Sequence, residues 1–513
     1  MHPVVFDQWR ADWDGFGEAN VKLPNIHALA NKGVRFTRAY AASPACSPSR
    51  AALVLGREFQ HSPVKYNRDK YLTTSGWQPH IHRTFPTLLR NAGYLTFSTG
   101  KDHLVSVESK NMDADMSLVG FDYYRRVNDK YLLCEYANDN YTNYLQSRGM
   151  LREFCVSNGQ FGQGYTCNST PVCDNYDFTE CGFRCQRPAF REGMDVDTWT
   201  RQSAQDLLDE HWRESGQPFF LQVNFPSPHP PLALPAGKLK NRMMNLPKAI
   251  DTAVPYHWML RNGSLLRIPK PSLEFSNFTE SRANYAALLE LLDSELGQLL
   301  NFLESVRDLR DTIIFLTSDH GEHLGDHGEW SKFSPWEVSN HVPLIASGPG
   351  ILSGRVETTP VSIIDLAATF LDLAGLQPAP WMDSRSLMPV LSGSGPATRS
   401  VVLSGFIDDI EASLKESQQP FFFEAAASLF NTSMLKLVCC PMGCVKQGTM
   451  LPVKLEPQVA LMNVTAGHGA AKFEHDILNK PPGRGMPEAL HLMQFLSEPR
   501  QAVCLSVLDA FRK

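Results

Sequence analysis

Residues 45–53 read Ala45-Cys46-Ser47-Pro48-Ser49-Arg50-Ala51-Ala52-Leu53. A cysteine followed by Ser-Pro-Ser-Arg opens a stretch that reads as a helix, with Pro48 in the first turn, where its missing N–H costs nothing. The backbone N–H groups of a helix start attract anions, and Arg50 adds a fixed positive charge one turn in. A nucleophile placed there is suited to attack on a sulfate or phosphate ester. The competing reading is a buried cysteine before an ordinary helix.

Outward from this stretch, short β-rich runs end in polar residues. Val4–Phe6 runs into Asp7, Tyr94–Ser98 leads to Lys101 and His103, Pro218–Phe225 leads to His229, and Thr312–Thr317 ends in Asp319 and His320. Helical patterns lie between them, at Leu23–Lys32, Thr84–Asn91, Thr198–Arg213 and Ser281–Val306. Strands alternating with helices predict an α/β fold, a large and mostly parallel sheet covered by helices on both faces. Ligands of such sheets bind beyond the carboxyl ends of the strands, where these reactive residues gather.

A second segment, Gly93-Tyr94-Leu95-Thr96-Phe97-Ser98-Thr99-Gly100-Lys101-Asp102-His103, follows at a suitable distance. Together with Cys46-Ser47-Pro48-Ser49-Arg50 it resembles the two signatures of the formylglycine-dependent sulfatases, C-x-P-S-R and G-Y-x-T-x-x-x-G-K-x-H. The resemblance runs from Asp7 to about Gly375. It implies the alkaline phosphatase-like architecture, a large catalytic domain followed by a smaller α+β domain with an antiparallel sheet.

The resemblance also implies a chemistry. In that family the cysteine is oxidised to formylglycine by a formylglycine-generating enzyme and hydrates to a geminal diol. One hydroxyl attacks sulfur and the alcohol leaves; the second then collapses to the aldehyde and expels sulfate, which splits one difficult step into two easier ones. Carried over residue by residue, Cys46 is the nucleophile, and His103 removes the proton that drives elimination. Lys101 and Arg50 hold the diol and developing charge, Lys332 binds the sulfate oxygens, and His229 protonates the leaving oxygen. Asp7, Asp319, His320 and modified Cys46 are the implied metal ligands. Carboxylate oxygens suit a hard cation, with Ca²⁺ favoured and Mn²⁺ or Mg²⁺ open. Sulfatases commonly carry two acidic residues in the first segment. Here Gln8 follows Asp7 and offers a carbonyl oxygen instead. Glycines between His320, His323 and His327 argue for a loop and against a zinc triad, and His341, before Val-Pro-Leu, reads as structural. A phosphonate or phosphate monoester hydrolase of the same superfamily, and a catalytically silent binding glycoprotein, are the alternatives.

The 513 residues are 43% hydrophobic and 20% charged with a net charge of −6, ordinary for a globular enzyme and without the global basic field that favours nucleic acid. No apolar run approaches the roughly 18 residues of a membrane span. Eleven cysteines are many for a cytosolic enzyme. Cys155, Cys167, Cys173, Cys181 and Cys185 cluster without the C-x2-C pairs or histidines of a zinc site, which predicts disulfides. Cys439, Cys440 and Cys444 form a second cluster. Sequons at Asn140, Asn168, Asn262, Asn277, Asn431 and Asn463 also favour the secretory pathway, to a lysosomal or extracellular destination. Met1–Phe6 is no signal peptide and begins inside the first strand, so a truncated or processed N-terminus is expected.

Asp102 to about Arg187 breaks the strand–helix rhythm and reads as an elaborated loop at the site's rim, or as a surface insertion. Its tyrosines (Tyr123, Tyr124, Tyr131, Tyr136, Tyr141 and Tyr144) suit stacking on sugar or aryl rings, or packing of the insertion itself. Interleaved acidic residues would repel a densely sulfated polymer, which favours a sulfated sugar of modest charge or an aryl sulfate. A helix over Val361–Ala374 is expected to end at Gly375. Domain boundaries are expected at 1–395 and 396–513, with strands near Val401–Leu403, Met434–Val438 and Val459–Asn463 and a last helix near Pro487–Leu496.

Overall fold

The computed structural model describes residues 1–16, 21–65, 83–106, 111–128, 133–157, 193–232, 258–261, 264–267, 278–306, 311–326, 331–396, 399–407, 422–430, 433–440, 458–463, 475–476 and 486–496, together with Asn67, Ser109 and Lys130. Strands β1 (His2–Asp7), β2 (Gly33–Tyr40), β3 (Leu95–Lys101), β4 (Tyr123–Val127) and β5 (Phe219–Pro228) are followed by a separate hairpin, β6 (Trp258–Arg261) and β7 (Ser264–Arg267). Then come β8 (Ile314–Ser318), β9 (His341–Ser347), β10 (Arg355–Glu357) and β11 (Val361–Ser362). Outside the hairpin these form one nine-stranded sheet in the order β10-β2-β9-β8-β1-β5-β3-β4, with β11 also on β2. All its pairings are parallel except those of β9 with β2 and β8.

Both faces of this sheet are covered, which is why its central strands read as nearly continuous apolar runs. Val4, Phe6, Leu221, Val223, Phe225 and Leu316 face one core, filled by the helices Pro24–Asn31, Val196–His211 and Phe278–Val306. Phe220, Phe315, Val34 and Phe36 face the other, beneath the helices Cys46–Leu55, Phe85–Asn91 and Asp365–Leu373. Neighbouring residues of one strand serve opposite cores, as the two-residue repeat requires.

Two expectations are corrected. The helix expected from Val361 starts at Asp365, because Val361 and Ser362 pair with Ala39 and Tyr40 as β11. The Asp365 carboxylate reaches back to the Ser362 N–H at 3.1 Å. The stretch read as a loop is, in its described part, four helices (Met112–Val119, Leu133–Tyr136, Asn140–Ser147, Leu151–Ser157) and the edge strand β4 on β3. Tyr123, Tyr124, Tyr141 and Tyr144 pack against hydrophobic clusters. Tyr141 is fully buried against Phe154 and Trp199, Tyr123 stacks on His211 at 3.9 Å, and Tyr124 donates to Asp113 at 2.5 Å. Tyr131 lies outside the described residues. Asp122 and Asp139 accept backbone N–H groups at 3.1 Å from Thr96 and 2.7 Å from Thr142.

The C-terminal part forms a five-stranded antiparallel sheet in sequence order: β12 (Val401–Ile407), β13 (Phe422–Phe430), β14 (Ser433–Cys440), β15 (Gln458–Asn463) and β16 (His475–Asp476). The helix Met486–Met493 packs on β13 and β14 through Ala489, Leu492 and Met493. This sheet is tied to the segment that carries Lys332. Lys436 of β14 forms a buried ion pair with Glu337 at 3.0 Å, Ser404 donates to Asn340 at 2.5 Å, and Phe406 lies 5.2 Å from Phe333. Cys155 and Cys439 are disulfide-bonded.

Candidate active site

Neighbouring parallel strands end side by side and deliver polar residues to one edge. Phe6 is level with Ser318 across β1–β8, Asp7 with Pro228 across β1–β5, and Gly100 with Asn224 across β3–β5. Asp7 and Gln8 therefore leave β1 between Asp319–His320, leaving β8, and His229, leaving β5, with Lys101 one strand further. Gly100 has φ +83°, and a Cβ there would stand 1.9 Å from the Asn224 carbonyl oxygen. Only glycine permits that approach of β3 to β5. The chain turns sharply out of the sheet at Gln8 (φ 73°) and His103 (φ 51°). Such conformations persist where the surroundings fix them. The Gln8 N–H donates to Asp319 Oδ1 at 3.0 Å and its carbonyl accepts from the Tyr285 hydroxyl at 2.7 Å.

Over this edge stands the helix Cys46–Leu55, with Cys46 as its first residue and Gly56 as its left-handed cap. Ala45 offers no capping side chain; the Ser47 N–H donates instead to Asn67 Oδ1 at 3.0 Å. Ser49 Oγ donates to the Asp319 carbonyl at 2.6 Å, which pins the helix to the end of β8. Arg50 spans the site. Its Nε donates to Asp319 Oδ2 at 2.8 Å and its Nη1 to Asn224 Oδ1 at 3.3 Å and to the Lys101 carbonyl.

Cys46 Sγ is fully buried at the centre. His320 Nε2 lies 3.1 Å away, Lys332 Nζ 3.0 Å, Lys101 Nζ 3.7 Å and Asp7 Oδ1 3.8 Å, and His103 makes a hydrogen bond to it. Burial opposes a thiolate, but Lys101, Lys332, His320 and the His103 bond outweigh it and hold the thiol well below its ordinary pKa. Asp7 also pairs with Lys101. Its carboxyl is held below its usual value: burial and Cys46 push it up, and Lys101, His229 and Lys332 pull it further down.

Asp7, Cys46, Asp319 and His320 bring one donor atom each within 4.8 Å of one another, all buried. His320 Nδ1 lies 3.0 Å from the Gly321 carbonyl. A carbonyl only accepts, so Nδ1 carries a proton and Nε2 is the ring atom placed to serve as a metal ligand. Two carboxylates and an imidazole fit a hard divalent cation, and the sulfur is the misfit of the set. An oxygen at the Cys46 position would remove it. Gln8 Oε1 accepts from Lys332 Nζ at 2.7 Å, while Gln8 Nε2 donates to Glu322.

Nine of the residues singled out from sequence thus meet at one place: Asp7, Gln8, Cys46, Arg50, Lys101, His103, Asp319, His320 and Lys332. His229 stands beside Asp7, 3% exposed, with Nδ1 2.6 Å from the Pro230 carbonyl. By the same argument Nδ1 carries a proton and donates it to that carbonyl, which leaves Nε2 for proton exchange. His323 is occupied elsewhere, by Ser334 Oγ at 2.7 Å and the Asp326 carbonyl at 3.1 Å, and His327 lies outside the described residues. His341 faces the Thr37 carbonyl at 2.9 Å and stacks on Tyr40. The sequence places Glu322 in the candidate metal segment Ser318-Asp319-His320-Gly321-Glu322 but gives it no role of its own, and it misses Asn224 and Lys130. In the structure Glu322 accepts from Gln8 Nε2. Nothing in the sequence marks the other two.

Residues 4–376 match the sulfatase family profile. Choline-sulfatase of Rhizobium meliloti is 29% identical over 76% of this chain and 71% of its own length. Human iduronate 2-sulfatase is 28% identical over 74% and 69%. The crystal structure of phosphonate monoester hydrolase from Agrobacterium radiobacter superposes with TM-score 0.66 at 22% identity, covering 100% of this chain and 95% of that one, which shows the shared fold. Among the described residues no helix is long and apolar enough to cross a membrane. With a profile match across most of its length and a buried cysteine ringed by cations at the strand ends, the chain belongs to the sulfatase family, enzymes that hydrolyse sulfate esters.

Proposed function

We propose that the chain cleaves a sulfate monoester through formylglycine made from Cys46 by a formylglycine-generating enzyme. The observation that carries this reading is the setting of Cys46, where Lys101, Lys332 and His103 reach one buried atom beside two carboxylates and His320. Arg50, Lys101 and Lys332 gather around the Cys46 position and favour the negative charge of a sulfate ester. Asp7, Asp319, His320 and the modified Cys46 would hold a divalent cation, Ca²⁺ in preference to Mn²⁺ or Mg²⁺, and Gln8 joins them if its carbonyl oxygen exchanges Lys332 for the metal. Such a cation would lower the pKa of the attacking hydroxyl and draw charge from a sulfate oxygen.

The chain's own residues divide the remaining work. Lys332 and Lys101 orient the sulfate oxygens. His229, with its Nδ1 proton committed to Pro230, gives its Nε2 proton to the leaving alcohol. His103 takes the proton that drives sulfate out. Relatives whose names specify choline and iduronate support a small sulfated alcohol or sugar as substrate. The disulfide-bonded Cys155 and Cys439 and the sequons support a lysosomal or extracellular setting. The test is the mass of the Cys46 peptide from protein made in a eukaryotic host, together with turnover of an aryl sulfate and of an aryl phosphonate monoester. An aldehyde and faster sulfate release are expected. A free thiol in fully active protein would refute the mechanism, and phosphonate preference would move the substrate class.

A further inference from the structure

His229 is not held by its own strand alone. Lys130, 6% exposed, sits just beyond the edge strand β4, and its Nζ donates to the His229 carbonyl at 2.8 Å and to Ser227 Oγ at 3.0 Å. On the other side of this turn the Ser227 N–H donates to Asp197 Oδ1 at 3.1 Å. Asp197, 2% exposed, lies in the first turn of the helix Val196–His211, near enough for the Lys130 charge to act on it. One ammonium thus grips two successive polar points of the segment that carries the histidine, and a buried carboxylate grips the same segment from the helix behind. A buried lysine is costly unless paired and hydrogen-bonded. Two of its hydrogen bonds here go to the histidine's main chain and to the residue two before it.

We propose that Lys130, backed by Asp197, is the positioning residue for the leaving-group acid His229. This deepens the reading above and rests on it. Lys130 touches no reacting atom. It fixes the main chain from which the imidazole projects, so Nε2 meets the leaving oxygen without further ordering. Proton delivery matters in proportion to the basicity of the leaving alcohol. Lys130 therefore matters for sugar and alkyl sulfates, whose alcohols leave poorly, and little for an acidic phenol that departs unaided.

The experiment measures kcat/KM for wild type, Lys130→Met, Lys130→Arg and His229→Ala over a series of aryl sulfates of falling leaving-group acidity, ending in an alkyl sulfate. Lys130→Met should lose less than about 3-fold on the most acidic phenol and about 10- to 100-fold on the alkyl sulfate, within the range of general acid catalysis. His229→Ala should steepen the series at least as much, and Lys130→Arg should recover part of the loss. If His229→Ala steepens the series and Lys130→Met lowers every substrate equally, Lys130 has no positioning role while the acid assignment stands. If His229→Ala is itself uniform, the acid assignment falls and this proposal with it. Should Lys130→Met not fold, the double variant Lys130→Met/Asp197→Asn, which buries no unpaired carboxylate, is read against Asp197→Asn by the same criteria.

Discussion

Replacing Asp197 by Asn should change how the stability of this protein depends on pH. Burial pushes the Asp197 carboxyl from 3.8 up to about 7; Lys130 pulls against this rise, Asp195 adds to it, and the bonds from Ser227 oppose it. Between those two values the unfolded chain gives up the proton and the folded chain keeps it, so raising the pH favours unfolding across that window. The gap from 3.8 to about 7 amounts to about 4 kcal/mol at about 1.36 kcal/mol per unit. Asn cannot ionise, yet its carbonyl oxygen can accept the same Ser227 N–H, so the variant is free of this term. Urea unfolding of both proteins from about pH 4 to 8, extrapolated to water, should give equal stabilities at the acid end. The variant should gain steadily to an advantage of about 4 kcal/mol above pH 7. A difference that stays flat across the window, or moves the other way, would refute the argument that burial dominates at Asp197.

Three further outcomes are expected. Asp319→Ala removes a carboxylate that accepts from Arg50, Gln8 and the His320 N–H and should abolish both activity and bound metal, so stoichiometric metal found by elemental analysis would contradict the ligand assignment. Cys46→Ser should trap a sulfated enzyme, visible by intact mass, because one hydroxyl attacks but no second hydroxyl eliminates. Lys436→Met removes the ammonium that pairs with buried Glu337 at 3.0 Å, while the Tyr40 hydroxyl still donates to that carboxylate at 2.9 Å. It should cost about 3–5 kcal/mol in denaturant unfolding, and a loss below about 1 kcal/mol would show the pair to be poorly formed.

Much of the catalytic edge was legible because its chemistry sits where a periodic pattern breaks. Val4–Phe6 is apolar until Asp7, and Ile314–Thr317 is apolar until Ser318 and Asp319. Both runs therefore announce a strand and the residue that leaves it. Neighbours were not legible. The alternation in Gly33–Tyr40 suits a strand but says nothing of pairing with β9 and β10, because register is decided between segments some 300 residues apart. The edge strand Tyr123–Val127 was hidden in an irregular stretch, since an edge strand needs only one partner and carries mixed polarity. Lys130 was invisible for a plainer reason: a lone lysine carries no periodicity, and its role exists only once Ser227 and Asp197 stand beside it. The tyrosines stayed ambiguous because an aromatic residue suits a ligand and a small core equally well, and only burial tells the two apart.

The loop that carries Lys332 rests on the C-terminal sheet. Phe333 donates its N–H to the Pro44 carbonyl at 3.2 Å, on the nucleophile's side, and packs its ring against Phe406, on the other. Glu337 in the same segment is paired with Lys436. These contacts join the segment that carries Lys332 to the small sheet, and by linkage a ligand that orders that segment should also protect the sheet. An inhibitory tetrahedral oxyanion held by Lys332 should slow amide hydrogen exchange in β12, β13 and β14, strands that contribute no residue to the chemistry. The C-terminal sheet would thereby report occupancy of the site.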